Sequence, residues 1–292
     1  MPLKDYTAVA LIVDRSGSMS NIAATVQSAL EEFLADQVTL PGKLTIDTVF
    51  FDTTVENRAT FVNPKDTKLD LELRPQGMTA LFDAVGGKID SFGQALSELP
   101  EEERPEKVIF VIATDGHENS SREYTQHSVA ERIKHQTEVY AWDFTFIGAN
   151  QDAVLTAASL NIPQSSAITF AANAEGAGSV VRAMSTYVAG TRSGASTGYT
   201  AEDRVSALGD GDDQVDQIKS QFEQGVSNPT EVIVGGVRSA SLGDFEPSAK
   251  LPEPEPRKAT KPAVKRAAKA EPKSETKPRT PRKKAEPKKD AE

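Results

Sequence analysis

The sequence predicts an α/β fold: a doubly wound, Rossmann-like, mostly parallel sheet with one antiparallel edge strand, followed by a disordered basic C-terminal tail. Three observations predict it. Two runs, Ala8–Val13 and Val108–Ala113, are apolar throughout instead of alternating with polar residues, as strands covered on both faces are. Strand-like and helix-like segments alternate over residues 1–190, the pattern of parallel strands joined by right-handed crossovers. From Pro247 onward Pro, Lys, Ala and Glu dominate, with KAEPK at Lys269–Lys273 and KKAEPKK at Lys283–Lys289. That composition offers too little apolar surface to offset chain entropy.

Taken in order, the first apolar run stops at Asp14, and Arg15-Ser16-Gly17-Ser18 follows. Gly17 lets the backbone turn tightly there, and Ser20 or Asn21 is placed to cap a helix running to about Gln37. After Pro41-Gly42, Leu44–Phe51 reads as a second strand. Across the polar turn Asp52-Thr53-Thr54, Val55–Val62 reads as its antiparallel partner at the sheet edge. Asn63–Pro75 reads as loop with one short extended piece, Leu69–Leu73. The segment Gln76–Ala80 leads into a helix over Leu81–Leu96, whose apolar positions Leu81, Val85, Ile89 and Phe92 recur at helical spacing. The second apolar run ends at Thr114-Asp115-Gly116, with a helix expected over Ser121–Gln136 and a strand over Val139–Gly148. Asn150 is placed to open a helix over Gln151–Leu160. A short strand, Ala167–Phe170, and a helix, Ala174–Ala189, complete the pattern. The expected organisation is a domain over 1–190, a linker over 191–246, and the tail over 247–292. Within the linker, Val215, Ile218 and Phe222 are spaced to line one face of a short helix.

Composition narrows the function classes. Cysteine is absent, which excludes disulfides, thiolate metal sites and cysteine nucleophiles and fits a cytosolic compartment. No run approaches the length of a membrane span, and the apolar run after Asp5 is too short for a secretory signal. The net charge of −10 conceals two opposite parts. Residues 251–292 hold 14 Lys+Arg against 7 Asp+Glu, a net of +7, leaving 19 against 36 in residues 1–250, a net of −17. An acidic body disfavours nucleic acid and tolerates divalent cations. The tail has two readings: weak, nonspecific contact with phosphate backbones, or an extended spacer held open by Pro and charge. No aromatic residue occurs from Leu251 onward, so base stacking has no support.

Three segments place oxygen-bearing side chains next to strand ends: Asp14, Ser16 and Ser18; Thr79; and Asp115. Alone, such residues are ordinary turn formers. In a doubly wound sheet, however, the first strand and the strand after the crossover are neighbours at the switch point, which brings the three segments together. Two carboxylates and three hydroxyls, with no His, form a hard-oxygen set suited to Mg2+, Mn2+ or Ca2+. The two negative charges balance the ion, and the small number of carboxylates leaves a coordination position for water or for a partner's oxygen.

Asp14-Arg15-Ser16-Gly17-Ser18, then Thr79 within GMTAL, then Asp115 within ATDG, resemble in order the metal-ion-dependent adhesion site of von Willebrand factor A domains. The resemblance extends over about residues 5–190. It implies that Ser16 and Ser18 ligate the ion directly, that Asp14 and Asp115 act directly or through water, and that Thr79 enters or leaves the shell with conformational state. It also implies that an acidic side chain of a partner protein completes the octahedron. The function implied is a non-enzymatic, metal-dependent protein-binding (adhesion or adaptor) module. DFTFIGANQDA at Asp143–Ala153 is similar to the corresponding region of small stand-alone A domains of bacteria and their phages. The expected location is therefore the cytoplasm of a bacterial cell or phage-infected host.

Two alternatives use the same ion. One is a metal-dependent hydrolase or phosphotransferase, which needs a positioned base or nucleophile; only Glu118 and His117 offer one, and Ser16 stands where the haloacid-dehalogenase pattern has a second Asp. The other is an adaptor of an AAA+ ATPase or signalling complex, which differs only in partner. The remaining motifs have structural readings. His117-Glu118-Asn119, on the same rim as Asp115, has two readings, a shaper of partner contact or a polar loop capping the next helix, of which the second is favoured; His127 and His135 belong to a solvated helix face. Gly86-Gly87-Lys88 lacks the Ser/Thr and the preceding loop of a nucleotide-binding P-loop. Asp210-Gly211-Asp212-Asp213 is solvated acidic linker, since Val215 and Gln221 hold the Gly and Glu places of a calcium loop. Trp142, Phe144 and Phe146 are strand packing.

Overall fold

Strand β1 (Leu3–Asp14) lies at the middle of a six-stranded sheet of order β3-β2-β1-β4-β5-β6. The computed structural model describes residues 1–149, 153–195 and 198–209. β2 (Lys43–Phe51), β4 (Pro105–Thr114), β5 (Asp143–Ala149) and β6 (Ala167–Phe170) run parallel to β1, and only the edge strand β3 (Val55–Val62) is antiparallel. This is the predicted doubly wound sheet. The strand order reverses between β1 and β4, so their carboxyl ends lie side by side.

The absence of alternation in β1 has a direct cause. Val9, Leu11 and Val13 enter one core, shared with α1 (Ala23–Thr39) and α5 (Ala174–Ser193). Ala8, Ala10 and Ile12 enter the other, shared with α2 (Leu81–Glu98), α3 (Gln126–Tyr140) and α4 (Ala153–Ser159). All six are buried, so neither face tolerates a polar residue. On the α2 side Phe110 stacks on Trp142 at 5.2 Å and meets Phe92 edge-on at 5.3 Å, which makes Trp142 a packing residue.

Several boundaries differ from expectation. Neither Ser20 nor Asn21 caps α1: the chain forms a 3-10 turn over Gly17–Asn21, in which Ser20 Oγ donates to the Gly17 carbonyl at 2.6 Å. α1 then begins at Ala23 with no side-chain cap. α3 begins at Gln126 instead of Ser121, behind a capping box between Thr125 and Ser128. It runs on to Tyr140, so β5 begins at Asp143, leaving Val139 and Tyr140 exposed on the helix. Leu69, Leu71 and Leu73 are buried at alternate positions, as an extended piece requires, yet the segment is not part of the sheet. α5 extends to Ser193, and α6 (Ala201–Leu208) buries Ala207 and Leu208, with Tyr199 stacked on Tyr187 at 5.0 Å. Asn150, the Asp210–Asp213 stretch, the helix expected at Val215–Phe222 and the tail from Pro247 lie outside the described residues. Among the described residues no helix is long and apolar enough to cross a membrane.

Candidate metal centre

Asp14 is the last residue of β1 and is fully buried. Its Oδ1 accepts the Ser16 N–H at 2.6 Å, and its Oδ2 accepts the Thr114 hydroxyl, from the end of β4, at 2.6 Å. Ser16 Oγ lies 3.0 Å from Ser18 Oγ, and Ser18 Oγ donates to Asp115 Oδ1 at 2.7 Å. The position of Thr79 follows from Gly116. A β-carbon on that glycine would stand 2.9 Å from Thr79 Oγ1, 3.6 Å from Ser18 Oγ and 3.7 Å from Asp14 Oδ2. Oxygens from three segments therefore line one small space, and a side chain at position 116 would fill it. The structure brings all five sequence-predicted residues together. Asp14, Ser16 and Thr79 form a buried floor; Ser18 and Asp115 reach the surface.

The electrostatics of this arrangement are unbalanced. Burial pushes the Asp14 carboxyl up to about 6, the hydrogen bonds from Thr114 and Ser16 offset part of that, and the like charge of Asp115 adds to it. Burial also raises Asp115, against the hydrogen bond from Ser18. Arg15, the only cation in the Asp14–Ser18 turn, is directed elsewhere: its guanidinium pairs with Asp52 and Glu56. A divalent cation among these oxygens would relieve the disfavoured charge, and a set of carboxylates and hydroxyls is the donor chemistry that hard cations take. Among the described residues no group of three or more His, Asp or Glu gathers, so the hydroxyls are integral to any such site.

Several supporting residues were not legible as such. Asn119 Oδ1 accepts the Thr79 N–H at 2.9 Å, and the Asn119 N–H donates to the Thr79 carbonyl at 3.0 Å. The loop containing Glu118 was expected to cap the following helix; it caps the preceding one instead. Glu118 accepts the Phe82 N–H at 2.9 Å, the N–H groups of Ser120 and Ser121 at 2.8 and 2.7 Å, and the Ser121 hydroxyl at 2.7 Å. Asp83 in turn accepts the N–H groups of Arg122, Glu123 and Tyr124. The cause lies at the start of α2, where Ala80 occupies the N-cap and has no side-chain acceptor. A helix opening on alanine needs its acceptors from elsewhere in the fold, and that was the available signal. His117, His127 and His135 are all exposed.

No protein-family model matches this chain, and no curated protein matches it. Solved structures that resemble it include von Willebrand factor A domains. The proximal thread matrix protein 1 of the mussel byssus, with a zinc-occupied MIDAS motif, is 14% identical with a TM-score of 0.46, over 63% of this chain and 46% of that one. The von Willebrand factor type A structure from Catenulispora acidiphila is 14% identical with a TM-score of 0.44, over 63% and 43%. A point mutant of the PilB minor pilin from Streptococcus sanguinis is 13% identical with a TM-score of 0.44, over 63% and 61%. The aligned region thus spans only 43% to 61% of these chains.

Proposed function

We propose that this chain is a non-enzymatic, divalent-cation-dependent protein-binding module. In this reading Asp14, Ser16, Ser18, Thr79 and Asp115 hold one Mg2+, Mn2+ or Ca2+, and an acidic side chain of a partner protein completes the coordination. The observation that carries it is the convergence of Asp14, Ser18 and Thr79 oxygens over Gly116, beside two carboxylates that no cation among the described residues neutralises. When bound, the ion supplies a positive charge and an incompletely filled coordination shell. Asp14 is held in one orientation by Ser16 and Thr114, which presets its charge. Ser18 and Asp115 form the exposed side of the site and face the approaching partner.

The binding reading is favoured over metal-assisted hydrolysis by Glu118. Both its oxygens are engaged by loop donors and by the first turn of α2, so it is a helix cap and not a free base. His117 is the other candidate, on the exposed side of the same loop. A Mg2+-dependent turnover assay on phosphate esters is expected to be blank. An adaptor of an AAA+ ATPase or signalling complex would use the same chemistry with a different partner.

The direct test is calorimetric titration of the full chain with Mg2+, Mn2+ and Ca2+. One cation per chain is expected, and the Ser16→Ala/Ser18→Ala double variant should lose it while keeping its circular dichroism. Proteins captured from a lysate in Mg2+ should be released by chelator and absent from the double variant's eluate. Equal cation binding by the double variant, or capture indifferent to chelator, overturns the reading.

A further inference from the structure

Arg15 lies between two of the site residues, yet its side chain serves another purpose. Its guanidinium is buried; Nε stands 3.1 Å from Asp52 Oδ2, an ion pair without hydrogen-bond alignment, and Nη1 meets the Glu56 carboxylate. Asp52, in the turn between β2 and β3, is 3% exposed. Its Oδ1 accepts the Thr54 N–H and hydroxyl at 2.7 and 2.9 Å, and its Oδ2 also accepts Gln76 Nε2 at 2.9 Å. A buried ion pair of this kind adds little net stability, because desolvation offsets its attraction; its best-attested use is to fix register.

The backbone around it shows which register is fixed. The N–H groups of Gln76, Met78 and Ala80 donate to the Arg15 carbonyl at 2.8 Å, Thr53 Oγ1 at 2.9 Å and the Asp52 carbonyl at 2.9 Å. Between them the Gly77 carbonyl accepts the Gly17 N–H at 3.2 Å, and the Thr79 N–H turns to Asn119 on the other side. The segment that presents Thr79 is thus laced to the turn that presents Ser16 and Ser18, with the Arg15–Asp52 pair and Gln76 at the seam. Gly77 allows this closeness: it has φ +67°, and a β-carbon there would stand 2.6 Å from Thr53 Oγ1.

We propose that Arg15 and Asp52 are positioning residues of the cation site, setting the separation between the Ser16–Ser18 turn and the Thr79 segment. The inference rests on the cation-binding reading above. It goes further in assigning part of the affinity to a pair whose charges are engaged away from the five site side chains. Groups that hydrogen-bond metal ligands directly are typically worth about 10–100-fold in affinity, and a pair acting one contact further out is expected at the low end of that range.

The experiment is Mn2+ calorimetry on the full chain and its variants. Asp52→Asn should weaken Mn2+ binding by about tenfold or more while circular dichroism stays native. Gly77→Ala, which changes no charge, should also weaken it. Glu56→Gln, at the exposed end of the network, should leave it unchanged. The decisive arm is a double-mutant cycle. If Asp52 acts through Thr79, then Asp52→Asn in the Thr79→Ala background should cause little additional loss, whereas a general weakening of the fold would add. Should Asp52→Asn fail to fold, Gln76→Ala carries the same test from an exposed side chain, with a smaller loss expected. An unchanged Mn2+ affinity in the folded variant, or strict additivity with Thr79→Ala, overturns the proposal. If the wild-type chain binds no Mn2+, the cation-site reading itself fails; if the wild type binds and Asp52→Asn binds equally, only the positioning role fails.

Discussion

Asp14→Asn is expected to abolish cation binding and, in the metal-free protein at pH 7.5, to raise thermal stability. The two effects have one origin. Asp14 is fully buried, and burial lifts its carboxyl from the ordinary 3.8 to about 6, so the charge present at neutral pH is held at a cost. A shift of about two units corresponds to about 3 kcal/mol, or several degrees in Tm for a domain of this size. The amide fits the same geometry. Its oxygen accepts the Ser16 N–H, its NH2 faces Thr114 Oγ1, and that hydroxyl can redirect its proton to the Gly116 carbonyl, 3.0 Å away. Removing a full charge about 4 Å from a divalent cation costs about 8 kcal/mol at an effective dielectric near 20, enough to abolish binding at millimolar cation.

The sign of the pH dependence follows from the raised value. A carboxyl whose folded pKa lies above its unfolded one contributes stability that is fully present below the unfolded pKa, about 4, and is lost as pH rises through about 6. The Tm advantage of Asp14→Asn should therefore be largest above pH 7 and shrink towards zero near pH 4. In the wild type, stabilisation by added Mg2+ should fade over the same interval, because the cation then competes with a proton. A metal-free Asp14→Asn protein less stable than wild type at pH 7.5 would show that the Asp14 charge is balanced by the fold itself, and the case for a cation would weaken with it.

The sheet, and the five residues proposed for the site, could be picked out in sequence because each is marked by its local pattern. A strand covered on two faces must be apolar at every position, as Ala8–Val13 is, and Asp14, Ser16 and Ser18 lie in the turn immediately beyond. Where α3 begins was not local information. The N–H groups of Ser120 through Tyr124 find acceptors in Glu118 and in Asp83, the latter on another helix, so residues that look like helix starters spend their hydrogen bonds outside any helix. Arg15 was hidden for the same reason. Only tertiary contact brings Asp52 of the β2–β3 turn and Glu56 of β3 to its guanidinium. The seam between site segments is a product of tertiary contact, which periodicity and turn chemistry do not encode.

Lys88→Met is expected to destabilise the domain by about 3–5 kcal/mol while leaving cation affinity unchanged. Lys88 is buried within α2, and its ammonium pairs with the buried Asp47 carboxylate of β2. Asp47 also accepts the Phe61 N–H, where β3 adopts φ +48° beside a break in its register with β2. The carboxylate thus ties both α2 and the edge strand to the sheet, and burial already pushes its pKa up against the opposing pull of Lys88. Without Lys88 it would rise further, so the loss should be larger at pH 8 than at pH 5, where Asp47 can take up a proton. Asp47→Asn in the Lys88→Met background keeps an acceptor for Phe61 and removes the stranded charge, and should recover much of the stability. Lys88 lies about 10 Å along α2 from its first residue, so Thr79 should keep its place and Mn2+ its affinity. A Lys88→Met variant that melts with wild type would show that the pair contributes nothing net. One that melts early and also binds Mn2+ poorly would mean that the Thr79 segment is held from the body of α2, and not only by the lacing at its two sides.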